Sequence, residues 1–124
     1  MREDTEMKRD WDHVRRLLLK VEALPTEDSE LLSCEIAEID PQTAAYHIRL
    51  MIEAGLITGT CRDANGPPLC RAYRLTWTGH ELLDRIRRET IWNSIKEKAR
   101  SSGIDLTIDT LLAIAKTVAD ALMQ

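Results

Sequence analysis

Apolar residues in this chain change their spacing from one segment to the next, and those changes mark out its elements. Trp11, Val14, Leu17, Leu18, Val21 and Leu24 recur at steps of three and four, the period of one helical face, and Pro25 closes the run. A helix is therefore predicted over residues 9–24, its stripe turned to a core. "PTEDSE" is a polar connection. "LLSCEIAEID" fits two periods: Leu32, Cys34 and Ile36 alternate as in a short strand, whereas Leu31, Leu32, Glu35, Ile36 and Ile39 suit a short helix, with alternation the slightly better fit. Asp40 followed by Pro41 reads as an N-cap and first helical position, opening a helix to Ala54 that stops at Gly55. "LITGTCR" and "LCRAYRLTW" are β-friendly runs around "DANGPP", where Asn65-Gly66 offers a turn and two prolines forbid further ladder pairing, so a hairpin is expected between Leu56 and Thr76.

The second half of the chain is helical in period. Thr76 or Thr78 caps the next helix, Thr78 with Glu81 satisfying the capping-box pattern, and Leu82, Leu83 and Ile86 give its inward face. Ile91, Trp92 and Ile95 extend that face to about Ala99 after a break near Thr90, and "RSSGID" interrupts. A last helix from Thr107 carries Ile108, Leu111, Leu112, Ala115, Val118, Ala119 and Leu122 on one broad stripe, widened by Ile114 and Ala121. The predicted core holds Trp11, Leu18, Ile48, Ile52, Leu75 and Leu82. The fold class is α+β, mostly helical.

Composition bounds what such a chain can do. With 124 residues, 44% of them hydrophobic and 31% charged, it is a globular protein of one domain's length. The polar start "MREDTEMKRDWD" lacks the apolar segment of a signal peptide and no run is long enough to cross a membrane, so a cytoplasmic protein without membrane association is expected. Cys34, Cys61 and Cys70 are too few and too scattered for a disulfide framework, and a reducing compartment would keep them as thiols. The net charge of -4 opposes phosphate binding on average, but the charge is unevenly spread. Residues 21–44 hold seven acidic side chains and no basic one. Residues 45–88 hold seven arginines (Arg49, Arg62, Arg71, Arg74, Arg85, Arg87, Arg88) and no lysine, and arginine is the side chain that forks onto phosphates and guanine edges. An ordinary solvated surface would carry such charges too.

Helix, short strand, helix, hairpin, helix is the order of a winged helix-turn-helix domain. "IEAGLI" followed by "YRLTWTGHELL" resembles the Leu-x-x-x-Gly-Leu-Ile, wing, Leu-Thr-x-x-Gly pattern of bacterial winged-helix regulators. "MKRDWDHVRRLLLKVE", "YHIRLMIEAGLI", "LTWTGHELLDRIRRETIWNSIKEK" and the closing helix resemble a family of short phage- and prophage-associated proteins, the domain of unknown function 2513. The resemblance runs from Met7 to near the C-terminus. It implies a winged-helix-like fold and a mobile-element context, and it transfers no catalytic residue. On this reading residues 1–6 are an N-terminal extension, 7–90 a winged-helix-like domain, and 91–124 a helical extension that packs on it or dimerises.

The candidate site follows from that order. In a DNA-binding winged helix the helix before the wing enters the major groove. Helix 41–54 buries Ala44 or Ala45, Ile48, Met51 and Ile52, leaving Gln42, Thr43, Tyr46, Arg49, Leu50 and Glu53 outward. Gln42, Thr43, Tyr46 and Arg49 are the candidate contacts to double-stranded DNA on this helix, and Arg62, Arg71 and Arg74 those on the hairpin. Tyr46 and Leu50, one turn apart, look more like a surface that packs against protein, so the alternative is a protein-interaction module that uses the winged-helix shape and the acidic block to bind a host or phage protein. Ile108, Leu111, Leu112, Ala115, Val118 and Leu122 are the candidate homodimer interface. Cys61 and Cys70 can face each other across the hairpin, but no Cys-x-x-Cys or His-x-x-x-His spacing occurs, and His47 and His80 read as hydrogen-bonded or packing imidazoles. Asp10 and Asp12 beside His13 suit a solvated helix start. No phosphate-cradling glycine loop or nucleophile motif is present, so neither enzymatic activity nor a cofactor is expected.

Overall fold

A computed structural model describes residues 8–62, 66 and 68–122. Five helices and a three-stranded antiparallel sheet appear in the order α1 (Trp11–Glu22), β1 (Leu31–Leu32), α2 (Pro41–Glu53), β2 (Ile57–Arg62), β3 (Leu69–Leu75), α3 (Trp77–Ile86), α4 (Glu89–Ser102) and α5 (Ile108–Leu122). The chain divides into two compact units, residues 1–80 and 81–124, with the boundary inside α3.

In the first unit the sheet order is β1-β3-β2. Helices α1 and α2 pack on each other and on the sheet. Both helices start where a carboxylate satisfies otherwise unpaired backbone N–H groups. Asp10 accepts from the amides of Asp12 (2.8 Å) and His13 (3.4 Å), and Asp40 from those of Gln42 (3.1 Å) and Thr43 (3.2 Å). Helix α2 ends because Gly55 takes a left-handed turn (φ 76°), which lets the Leu56 amide donate to the Met51 carbonyl and the Gly55 amide to that of Ile52. Val14, Leu17, Leu18 and Val21 of α1 are buried, as are Ala44, Ala45, Ile48 and Met51 of α2 and Leu56, Ile57, Cys70, Ala72 and Leu75 of the hairpin.

Several expectations are corrected in this unit. The segment after residue 30 pairs with β3 only through Leu31 and Leu32, then turns into a single 3-10 turn, Ser33–Glu35. The turn puts Ser33 in the core, where its hydroxyl accepts from the Cys70 amide at 3.0 Å, so neither simple period was right. Trp11 and Ile52 are half-buried, not core. Trp11 lies at the first turn of α1 with the Arg9 guanidinium 4.8 Å from its ring centroid, a position that keeps one face of the indole near water. His80 is exposed, not packed. Asn65 of the predicted turn lies outside the described residues.

The junction between hairpin and α3 is built on two close approaches. The Thr76 amide donates to the Leu56 carbonyl (3.0 Å), and the Thr76 hydroxyl donates to the Gly55 carbonyl (2.5 Å) while accepting from the Gly79 amide (3.0 Å). Thr76, not Thr78, is thus the cap. Gly79 is buried against Leu56 so tightly that a Cβ on it would lie 2.0 Å from the Leu56 carbonyl oxygen. The "LTWTG" motif is read physically in that contact: threonine ties the turn down, and glycine leaves room for the backbone beneath.

In the second unit α4 and α5 pack together. The break before α4 falls at Arg87 and Arg88, earlier than expected, and α4 runs on to Ser102, beyond the expected Ala99. Trp92, Ile95 and Ala99 of α4 and Leu111, Ile114 and Ala115 of α5 are buried. Thr107 caps α5 by accepting from the Thr110 amide at 3.2 Å. The stripe on α5 is therefore divided. Leu111 and Ala115, both assigned above to a dimer face, are covered within the chain, while Ile108, Leu112 and Val118 are half-buried and Leu122 is 65% exposed.

Candidate nucleic-acid interface

Strict alternation along β3 would send Arg71 and Arg74 to opposite faces, because they differ by an odd number of positions. The pairing register shows why they share one. Ile57 pairs with Leu75 and Thr58 with Arg74, but Gly59 pairs with Ala72, so Tyr73 is an extra residue without a partner of its own, a β-bulge. Beyond it Thr60 pairs with Arg71, Cys61 with Cys70, and Arg62 with Leu69. The bulge resets the alternation. Ile57, Gly59 and Cys61 then share one face with Leu75, Ala72 and Cys70, and Thr58, Thr60 and Arg62 share the other with Arg74 and Arg71. The first set supplies the buried residues Ile57, Cys70, Ala72 and Leu75. Arg62, Arg71 and Arg74 are all exposed.

Two groups on this outer face were not singled out from sequence. The Tyr73 hydroxyl lies 3.0 Å from Thr60 Oγ1, fixing the phenol across the hairpin beside the arginines. Arg71 forms an exposed ion pair with Glu30 at 3.2 Å, of the kind worth at most about 1 kcal/mol. Only the register could have revealed Tyr73, since its bulge leaves no trace in the hydrophobic pattern. The acidic block is partly engaged within the chain: besides Glu30, Glu38 pairs with Lys20 at 3.1 Å, and the Lys20 hydrogen bond holds the Glu38 carboxyl below its usual range.

On α2, Gln42 is exposed, while Thr43, Tyr46, Arg49 and Leu50 are half-buried. The structure thus leaves Gln42 as the most accessible of the four residues proposed on this helix. His47 is the hydrogen-bonded imidazole expected of it. His47 is 1% exposed, its Nδ1–H donates to the Thr43 carbonyl (2.8 Å), and its Nε2 accepts the Asp10 amide (2.8 Å), tying α2 to the start of α1. The His13 ring stands edge-on at 5.1 Å between centroids and the Tyr46 ring at 5.5 Å. Burial disfavours the imidazolium and pushes the His47 pKa down, a trend that the hydrogen bond to Thr43 only partly opposes.

The cysteines overturn the thiol expectation. Cys61 and Cys70 form a disulfide across the hairpin, made possible by their direct pairing at a Cα–Cα distance of 4.0 Å, and Cys34 is free and exposed. Among the described residues no group of three or more His, Cys, Asp or Glu is placed to hold a metal ion. Among the same residues no helix is long and apolar enough to cross a membrane.

The profile of the family described as "Hypothetical protein (DUF2513)" matches residues 8–105. The chain belongs to that family. It is also 39% identical over 112 residues to an "Uncharacterized protein" of Haemophilus influenzae (strain ATCC 51907 / DSM 11121 / KW20 / Rd), a match covering 90% of this chain and 95% of that one. No solved structure matches. The family match takes in both candidate surfaces, α2 and the hairpin, and ends before α5 begins.

Proposed function

We propose that this chain is a prophage-derived, winged-helix-like protein that binds double-stranded DNA as a small transcriptional regulator, with the outer face of the β2–β3 hairpin as its phosphate-contacting wing. The observation that carries the reading is the convergence of Arg62, Arg71 and Arg74 on one exposed face, achieved by a bulge rather than by simple alternation. Three guanidiniums on a two-stranded ribbon suit phosphates and groove edges, and Thr60 and Tyr73 add hydroxyls of the kind that contact sugar and phosphate. The element order and the sheet order β1-β3-β2 agree with a winged helix, which would direct Gln42, Thr43, Tyr46 and Arg49 of α2 toward base edges. A homodimer through the half-buried residues Ile108, Leu112 and Val118 and the exposed Leu122 of α5 would pair two such surfaces on a two-fold site.

A salt-dependent titration with random duplex DNA tests this. Phosphate contacts make the logarithm of affinity fall linearly with the logarithm of salt concentration, and replacing Arg71 and Arg74 together with Ala should weaken binding to all sequences and shallow the slope by about one to two units. Unchanged binding in the double variant removes the hairpin from the interface. A second reading, a protein-interaction module, is favoured by one observation: Trp77, at the start of α3, is 81% exposed, and lone exposed tryptophans are characteristic anchors of protein interfaces. Absence of any DNA affinity at low salt, where phosphate contacts are strongest, would favour that reading.

A further inference from the structure

We infer that the Cys61–Cys70 pair is a thiol–disulfide exchange site, in which Cys61 is the sulfur reached by a low-molecular-weight thiol and Cys70 is the buried partner that leaves and re-forms the bond. The asymmetry between the two residues carries this. Cys70 is fully buried (0% exposed), with its amide donating to Ser33 Oγ at 3.0 Å and its sulfur 3.4 Å from the Ala45 carbonyl oxygen on α2. Cys61, on the edge strand β2, is half-buried and next in sequence to the exposed Arg62. An incoming thiolate needs access to the sulfur it attacks. Only Cys61 offers that access.

The chemistry closes without further reagents. A thiolate such as that of glutathione attacks Cys61 Sγ, the Cys61–Cys70 bond breaks, and Cys70 leaves as a thiolate that takes up a proton. The resulting S–H has an acceptor waiting in the Ala45 carbonyl, so the reduced partner is accommodated without an unpaired donor. A second thiol then attacks the mixed disulfide at Cys61, releasing glutathione disulfide and leaving two protein thiols. Oxidation runs the same steps in reverse, with glutathione disulfide as the oxidant. The site is independent of the DNA reading, but it lies between the pairs Thr60–Arg71 and Arg62–Leu69, so its state bears directly on the ribbon that presents those arginines.

The test uses the full chain carrying Cys34→Ser, so that the exposed thiol does not react. Equilibration with glutathione and glutathione disulfide in varied ratio, acid quench and alkylation followed by mass spectrometry should give zero or two labelled cysteines. The fraction should track the ratio as a two-electron couple while the far-ultraviolet circular dichroism stays unchanged. With glutathione disulfide, the added Cys70→Ser change should trap one glutathione on Cys61, whereas the added Cys61→Ser change should leave Cys70 unmodified. Glutathione on Cys70 as readily as on Cys61, reduction that occurs only where the protein unfolds, or two thiols that stay reduced in excess glutathione disulfide would each overturn the proposal.

Discussion

Replacing Gly79 with Ala is a sharp test of how the hairpin is joined to α3. The new Cβ would lie 2.0 Å from the Leu56 carbonyl oxygen and 3.0 Å from its carbonyl carbon, where ordinary contact begins near 3.4 Å, so something must move by more than an ångström. The obstacle is backbone, not the end of a flexible side chain. It is also held in place, because the same carbonyl accepts the Thr76 amide at 3.0 Å and Leu56 is only 2% exposed. Overpacking of this kind costs about 1–3 kcal/mol and sometimes more. Stretching the Thr76–Leu56 hydrogen bond adds about 0.5–1.5 kcal/mol. Against this, alanine is a better helix former than glycine by about 0.5–1 kcal/mol, and Gly79 is not among the positive-φ glycines, so no conformational penalty enters. The net expectation is a loss of about 1–3 kcal/mol, a shift in the urea midpoint of roughly 1 M for a typical small-protein slope. Thr78→Ala, at an exposed position one residue away, should change stability by no more than about 0.5 kcal/mol. A Gly79→Ala protein as stable as the parent would refute the close approach.

Other expected outcomes follow from the same structure. Since His47 is buried neutral with a lowered pKa, the unfolded chain binds more protons than the folded one below the ordinary histidine value of about 6.5; the stability tied to the neutral ring is therefore complete above that pH and declines as pH falls beneath it. Urea midpoints measured between pH 8 and pH 5 should drop on the acid side more steeply in the parent than in His47→Gln, and parallel curves would clear His47, on which His13 and Asp10 act as neighbouring ionisable side chains. Asp40→Ala should cost about 1 kcal/mol by uncapping α2, read by the same denaturation. Leu111→Asp should unfold the second unit, as loss of α4–α5 helicity by circular dichroism, because it places a charge where the side chain is 0% exposed. Leu112→Asp with Leu122→Asp should leave a folded protein whose sedimentation mass is 14.1 kDa; a parent already at that mass would remove the dimer.

The helices were legible in their periods, since Val14, Leu18, Ile48 and Leu82 are buried as the three-four spacing requires, and Asp40 is a cap in sequence and in structure, whereas Asp10, inside the predicted helix 9–24, is instead the cap of α1. Gly55 was equally readable, since a glycine after an apolar helical run is the usual left-handed stop. What failed to show were features decided by partners distant in sequence. Ser33 enters the core because it meets the Cys70 amide, 37 residues away, and nothing in "LLSCEIAEID" announces that partner. Ile52 and Trp11 sit at the margins of their helical stripes, where a one-dimensional period does not say how far the neighbouring layer extends. Arg62, Arg71 and Arg74 were named from charge alone, but their convergence on one face depended on a bulge that only strand register determines. The cysteine pairing was geometrically conceivable from the hairpin, and compartment reasoning set it aside.

The bulge at Tyr73 also fixes the length of this segment. Strand β2 counts six residues and β3 seven, and the bulge absorbs that single-residue excess, so the core set and the arginine set keep their sides along the whole ribbon. An uninterrupted ladder of all seven residues would put Leu75 and Cys70, five positions apart, on opposite faces and so force a choice: either Leu75 keeps its place and Cys70 swings outward with its disulfide, or Cys70 stays and Leu75 is expelled. A one-residue insertion in β2 that paired with Tyr73 would create that ladder. The hairpin can therefore vary in length at its tip, between Arg62 and Leu69, whereas within the strands the tolerated loss is that of Tyr73 itself, which would leave every pair on its present face.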